Sequence, residues 1–508
     1  MSDAPSHPRT NGVTRALAEV LASTTYAGLP ADVLEHARRS ITDWLGSALG
    51  GAIEKPARLA QQVAAGLGAS NESTMFGAGR ASAAAAAFAN GVASHILELD
   101  DIHNGSTVHA AAPIIPAALA VAEREHADGR AFVAAVTIGY EAAFRIGEAV
   151  NPSHYFFFHP TGTVATFGAA AAAGSLLKLG ADQMLDALGS AGTQAAALWE
   201  FNADGAMSKH LHPGKAAMNG ILAADLARAG FTGATRILEG ERGFFRAMTG
   251  GGPRGPSCRA EAATPRRRAR SAYDETRITD GLGLRWKMGE NGYKLYSCCR
   301  HTHTAVDVAL DIRSRRQWSR DDVLDAVSGV DIETYGPGYE IVKEMNPRTP
   351  YQGKFSLAYC VAAALLEGEL GLEQFAAERF GPEGVRDRAI AELLQRTRVV
   401  VAGDLTGRYP SAWSARLVLT LKDGASERGA SDYPRGDSEN PVSTEELEKK
   451  LSALVGSRFG NDTARSALAA LHSMERCPDM ATLFAPMGRL KAAPTYELEA
   501  TSSGSVRL

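Results

Sequence analysis

Cysteine is scarce in this sequence. The chain holds five, Cys258, Cys298, Cys299, Cys360 and Cys477. The number is odd and no C-x-x-C pair occurs, which speaks against a disulfide framework and leaves a structural zinc site without its usual ligand spacing. Reduced thiols in the cytosol are the simplest reading. No sign of charge dominates either. The 53 Lys and Arg oppose 57 Asp and Glu, for a formal net charge of −4, so no global basic field points to nucleic acid or to a membrane. An anionic ligand would need a locally basic pocket. The apolar stretches meet Gly, His or a charged residue before they could span a bilayer. Met1 to Thr10 is polar and contains two prolines, unlike a signal peptide. A cytoplasmic globular protein is the expectation.

What remains is ordinary in composition and long. Hydrophobic residues make up 45% and charged residues 22% of 508 residues, and that length favours two domains over one core. The first half reads as successive helices: Ala31 to Leu49, Ala81 to Leu99, Phe132 to Val150, Thr163 to Leu179 and Gly214 to Ala229. They are rich in alanine, which favours helix and lets helices approach closely. Most are apolar around much of their circumference, so they should be buried. Gly180, Gly230 and Gly233 stand where helices should stop. After about Leu282 the pattern changes. Asp325 to Tyr335, Thr397 to Ala402 and Ser414 to Leu421 alternate and are rich in Val, Ile and Thr, as strands are. Phe355 to Leu366 and Asp387 to Gln395 read as helices between them. Ser443 and Glu446 form a capping box ahead of a last helical stretch. The expected fold is mainly α with a smaller α+β domain. A large helical domain would span 1–282, completed by C-terminal helices in 442–508, and an α+β lid would span 283–441.

Four segments place polar residues inside apolar sequence. Glu98 to His109 gathers Asp100, Asp101, His103 and His109 at the end of an alanine-rich helix, where an acid can orient a histidine and raise its pKa. The plain alternative is a helix end and a turn. Phe156 to Thr163 sets His159 before a helix that Thr161 or Thr163 could cap, and a helix N-terminus suits an anion. A histidine filling a core gap is the alternative there. Met207 to Lys215 places Lys209, His210, His212 and Lys215 around Gly214, which opens the next apolar helix, a good carboxylate site. Lys294 to His303 carries Cys298, Cys299 and a His-x-His pair. Such a pair alone is a weak metal signal, and a nearby Arg300 could lower a thiol pKa. The run Arg266 to Arg270, with its Gly- and Pro-rich surroundings, is a solvated loop on this reading; nucleic-acid binding through it would be strongly salt-dependent.

Together the segments resemble the MmgE/PrpD family, which includes 2-methylcitrate dehydratase, cis-aconitate decarboxylase and iminodisuccinate epimerase. The resemblance runs from about Leu29 to Pro486. It rests on Leu-x-Leu-Asp-Asp ending at Asp101, His-Pro-Thr-Gly at His159 and Ser-Lys-x-Leu-His-x-Gly from Ser208. Ile237 to Gly240 with Gly243-Phe244-Phe245, Lys354 to Leu357 and Tyr433 to Asp437 add to it. Their order along the chain carries the assignment. The resemblance implies a homodimer with no metal and no organic cofactor, and a site between helical domain and lid. It places catalytic groups at Asp100, Asp101, His109 with His103 nearby, His159, Lys209 and His303. A lid tyrosine would fall at Tyr339 or Ile341, and 253–270 would be an insertion. Lys209 and His159 would neutralise substrate carboxylates, with Thr161, His212 and Tyr339 as further contacts. His103 or His109 would move a proton beside a carboxylate, and His303 would be the partner acid. The expected activity is that of a metal-independent lyase on a small di- or tricarboxylic acid, with 2-methylcitrate-like dehydration first. Epimerisation and cis-aconitate decarboxylation are the alternatives, and a catalytically inactive binding protein on the same fold is the non-enzyme one.

Overall fold

Alanine and glycine set how the helices meet. The computed structural model describes residues 11–68, 70–250 and 272–493. Its first part is a helical body: α1 (Val13–Ser23), α2 (Ala31–Gly51), α3 (Lys55–Gly66), α4 (Ala83–His95), α5 (Ala111–Arg124), α6 (Gly129–Val150), α7 (Pro160–Leu176), α8 (Ala181–Gly192), the single turn α9 (Phe201–Asp204) and α10 (Ser208–Arg228). Every residue of α7 except Ser175 is buried, so α7 is the central helix, flanked by α5, α6 and α10. The crossing of α6 and α7 has no room for side chains. A Cβ on Gly168 would lie 2.7 Å from the Gly139 carbonyl oxygen, so two glycines face each other where the backbones touch.

Two local expectations change at helix starts. Pro160 opens α7, where its missing N–H costs nothing. Neither threonine caps that helix. Thr161 Oγ1 instead accepts the His109 backbone N–H at 3.1 Å, and Thr163 Oγ1 lies 2.7 Å from His154 Nε2. The second change concerns α10, which begins at Ser208 and not at Gly214. Pro213 lies within its second turn and removes a single backbone bond, which an otherwise buried helix tolerates. Lys209, His210 and His212 therefore project from a rigid helix and not from a loop. At the far end Gly230 takes φ 91°, the left-handed turn that ends α10.

The second part is α+β. Four strands lie in the order Thr397–Val401, Val327–Thr334, Ala415–Leu421, Ser426–Ser431; the first pair is parallel and the others antiparallel. Alternate residues of Val327–Thr334 and Ala415–Leu421 are buried, as period-two side chains require. The covering helices are Arg300–Arg316 and Leu357–Glu367. The chain then returns to the helical body. Ser443 and Glu446 form the capping box of helix Thr444–Phe459, which packs on α2. From that helix Lys450 Nζ reaches Asp43 Oδ1 at 2.6 Å, the Leu99 carbonyl at 2.5 Å and the Lys294 carbonyl at 2.8 Å. One ammonium thus ties together two of the polar segments. Among the described residues no helix is long and apolar enough to cross a membrane. Cys258, the basic run at Arg266 to Arg270 and the whole of the expected insertion 253–270 lie outside the described residues.

Candidate functional site

Three polar segments converge between the two parts: the chain after α4, the first turns of α10, and residues 291–299 leading into helix Arg300–Arg316. They enclose a small, polar-lined cavity. The backbones are joined there by paired hydrogen bonds between Ile102 and Gly292, both 2.9 Å.

Glu98 is the electrostatic centre. Lys209 Nζ contacts its Oε1 directly, and Lys294 Nζ lies 3.2 Å from its Oε2. All three side chains are buried and line the cavity. Burial favours the neutral acid, but Lys209 and then Lys294 outweigh it and hold Glu98 well below the usual carboxylate range. Burial likewise opposes the charge of Lys294. Glu98 and Asp100, the latter 3.7 Å away, overcome it and raise that ammonium. Glu98 has φ 57°, a left-handed conformation that costs a non-glycine residue about 1–3 kcal/mol and gathers at functional sites. The two cations thus hold a carboxylate in a strained seat on the cavity wall.

Imidazoles surround this seat. His109 Nδ1 lies 2.7 Å from the Asp101 carbonyl oxygen and 3.6 Å from Asp100 Oδ2. A carbonyl only accepts, so Nδ1 carries the proton and Nε2 is left as a free base on a side chain that lines the cavity. Burial and the neighbouring Lys294 keep His109 neutral, well below the usual imidazole range. His159 and His212 meet Nδ1 to Nδ1 at 3.1 Å, so one must donate and the other accept. Burial and their mutual repulsion lower the first strongly; burial takes the second to about 3. Behind His109, His95 Nδ1 lies 2.6 Å from Asp100 Oδ2, with both side chains fully buried. Burial pushes Asp101 up to about 7, although Tyr140, Ala111 and Asn291 all donate to it. Asp101 acts as a structural bracket for the start of α5.

The structure brings together Asp100, His109, His159, Lys209 and His212, with Thr161 holding the His109 backbone. It turns three expected residues elsewhere. His103 stacks on Phe144 with ring centroids 4.1 Å apart and aims Nε2 towards Glu290 at 3.5 Å and Glu148 at 3.7 Å, away from the cavity. His303 accepts from Arg300 at 3.1 Å and points Nε2 at the Cys298 carbonyl, 3.3 Å away. Two residues along a helix face opposite sides, so His301 lines the cavity instead. Tyr339 is half-buried and does not line the cavity. A different lid tyrosine, Tyr335, bonds His301 Nδ1 at 2.6 Å. Arg300 pairs with Asp437, and burial pushes the Cys299 thiol up to about 12, so it is no nucleophile at neutral pH. Sequence reasoning missed Glu98, His95, Lys294 and His301 as site residues. Glu98 and Lys294 stood at the edges of segments already singled out. Only the polarity of His95 inside an alanine-rich helix could have signalled it.

Among the described residues, two groups have ligand atoms close enough to hold a metal: His95 with Asp100 and His109, and His103 with Glu148 and Glu290. In each a lysine already supplies the cation. Lys294 Nζ is 3.7 Å from Asp100, and Lys287 Nζ is 2.9 Å from Glu148 and 3.0 Å from Glu290. A divalent ion would have to displace that charge or withstand it.

Comparison with known proteins agrees with the fold. The sequence profile of the MmgE/PrpD N-terminal domain matches residues 15–256 and that of the C-terminal domain matches 296–476. The chain is 26% identical over 501 residues to a cis-aconitate decarboxylase-like protein, oryM, of Aspergillus oryzae, covering 96% of this chain and 99% of that one. It is 27% identical over 495 residues to a cis-aconitate decarboxylase of Aspergillus terreus, covering 93% and 95%. With the human cis-aconitate decarboxylase it shares 26% over 482 residues, covering 93% of each. Both halves of the fold and the polar segments between them fit one assignment: this chain belongs to the MmgE/PrpD family.

Proposed function

We propose that this protein is a metal-independent lyase that removes carbon dioxide from a small unsaturated polycarboxylate of the cis-aconitate kind. The observation that carries the reading is the seat of Glu98, a carboxylate held by two buried ammonium groups beside the free base of His109. A substrate carboxylate would take that seat. A second carboxylate would leave as carbon dioxide, and its bonding pair would pass into the conjugated double bond and the seated carboxylate. Lys209 and Lys294 would stabilise the enediolate charge that forms there, where fixed cations contribute most. The reaction consumes one proton, delivered to carbon. His109 is neutral when the site is empty, so the negative charge of the arriving substrate would draw a proton onto Nε2, ready for delivery.

Decarboxylation displaces dehydration as the first reading for two reasons. Two of the relatives described above are named cis-aconitate decarboxylase and the third is named as like it. Departure of carbon dioxide also needs no acid at the leaving group, whereas hydroxide does, and the expected acid His303 faces away while burial lowers His301 to about 3. Dehydration of a 2-methylcitrate-like acid stays as the second reading, because a free His109 Nε2 also suits removal of a proton beside a carboxylate. The reading includes a cytosolic homodimer whose segment 283–441 closes over the site. Proton NMR in deuterated water with EDTA, using cis-aconitate, 2-methylcitrate and citrate in turn, tests it. Loss of carbon dioxide with one deuteron gained at carbon is expected. Loss of water would establish the dehydratase, and deuterium exchange without net reaction the epimerase.

A further inference from the structure

The helix Thr444–Phe459, which brings the chain back from the α+β part, stands directly behind the site. Its apolar face, Leu447, Leu451, Leu454 and Val455, is buried. Where it crosses α2, a Cβ on Gly46 would lie 3.0 Å from Leu451 Cα. The two backbones are nearly in contact there, so close packing fixes the helix in place. Lys450 is the residue beside that contact, and its side chain is only 11% exposed. An ammonium has three donors. Those of Lys450 meet three acceptors: the fully buried Asp43 at 2.6 Å and the carbonyls of Leu99 and Lys294 at 2.5 and 2.8 Å.

Both carbonyls belong to one ion pair. Leu99 lies between Glu98 and Asp100, the carboxylates that Lys294 Nζ faces at 3.2 and 3.7 Å. One ammonium therefore holds the backbone at each end of that pair. On the other flank of Glu98, the Leu97 carbonyl accepts from Ser297 Oγ at 2.6 Å and from Lys354 Nζ at 3.2 Å. Glu98 itself has φ 57°. Such a backbone persists only where its surroundings over-determine it, and here both neighbouring carbonyls are held.

We propose that Lys450 is a positioning residue: through the carbonyls of Leu99 and Lys294 it sets the register of Glu98 against Lys294, so that the C-terminal helix completes the site. Lys450 does not line the cavity and acts only through these groups. The register rests on the contacts alone; its effect on turnover rests on the function proposed above.

A merely structural Lys450 would serve only to neutralise Asp43, and three variants separate the two roles. Asp43→Asn keeps an oxygen for Lys450 and leaves it on both carbonyls. Lys450→Met leaves Asp43 buried without its partner. The double variant sets two neutral side chains against each other. Loss of one partner of a buried pair destabilises strongly, whereas neutral replacement of both is tolerated. The urea midpoint should therefore fall for Lys450→Met and recover in the double variant. Crystal structures and kinetics with cis-aconitate then decide. Asp43→Asn should keep the Glu98–Lys294 pair and a kcat near that of wild type. The double variant should fold, yet hold Lys294 Nζ beyond hydrogen-bonding distance of Glu98. Its kcat should fall about 10²-fold, which a shift of ~1 Å at a reacting centre can cost, with a much smaller change in KM. An undisturbed pair in the double variant would overturn the proposal, as would a displaced pair with undiminished kcat. A displaced pair in a protein whose wild type turns over no acid would uphold the register and refute the lyase.

Discussion

Glu98→Gln is the perturbation whose consequences are most fully determined by this structure. The substitution keeps the shape and removes one charge from between two buried ammonium groups. Lys209 would then have no carboxylate at hydrogen-bonding distance, and Lys294 would keep only Asp100 at 3.7 Å. Removing one member of a buried ion pair costs about 3–5 kcal/mol, because the partner is left uncompensated. The variant should therefore unfold at clearly lower urea concentration. A polycarboxylate offers the missing group, so tricarballylate should restore stability. At a free concentration 100 times its Kd it would return about 2.7 kcal/mol. Wild type should gain less at the same concentration, because the acid must first displace Glu98. Urea melts of both proteins, with and without tricarballylate and with chloride at matched ionic strength as control, give the comparison. A variant as stable as wild type, or one that gains no more from the acid than wild type does, would refute the reasoning.

His109→Ala should lower turnover by about 10²–10⁴-fold, the usual worth of one general acid–base group, while tricarballylate still binds. His95→Asn should lower kcat with little change in KM and shift the acidic limb of the pH–rate profile, because His95 acts on the site through Asp100; an unchanged profile would make it purely structural. Stability should fall steeply below pH 6.5. Burial lowers His154 to about 4 and His210, His212 and His301 to about 3. The unfolded chain takes up protons there that the folded chain refuses. Their contribution is therefore complete above pH 6.5 and is lost as pH falls towards 4, at ~1.4 kcal/mol per group per pH unit. Asp101 and Glu123, which burial pushes up to about 7, act in the opposite direction but are fewer. A urea midpoint that is flat from pH 6.5 to 4.5 would contradict this.

Much of the fold was legible because it rests on local pattern. Alanine-rich periodicity located α4, α6 and α7, and alternation located the strands Val327–Thr334 and Ala415–Leu421 to within a residue or two. The error at α10 came from taking Gly214 as the helix start; the helix begins at Ser208, and Pro213 in its second turn costs one bond that the buried surroundings of the helix outweigh. The site was legible as segments but not as side chains. The spacing of His301 and His303 cannot say which faces inward; that depends on how helix Arg300–Arg316 rotates against its sheet. Glu98 looked like part of an acidic turn, because its partners Lys209 and Lys294 lie 111 and 196 residues away. His103 was attractive by its position in the chain, yet Phe144 and two glutamates hold it on the other side of its loop.

The most direct test is a crystal structure of His109→Ala with tricarballylate bound. The expected result places one ligand carboxylate within hydrogen-bonding distance of both Lys209 Nζ and Lys294 Nζ, with Glu98 displaced from its seat. Tricarballylate bound elsewhere, with Glu98 still held between the two lysines, would contradict the central claim.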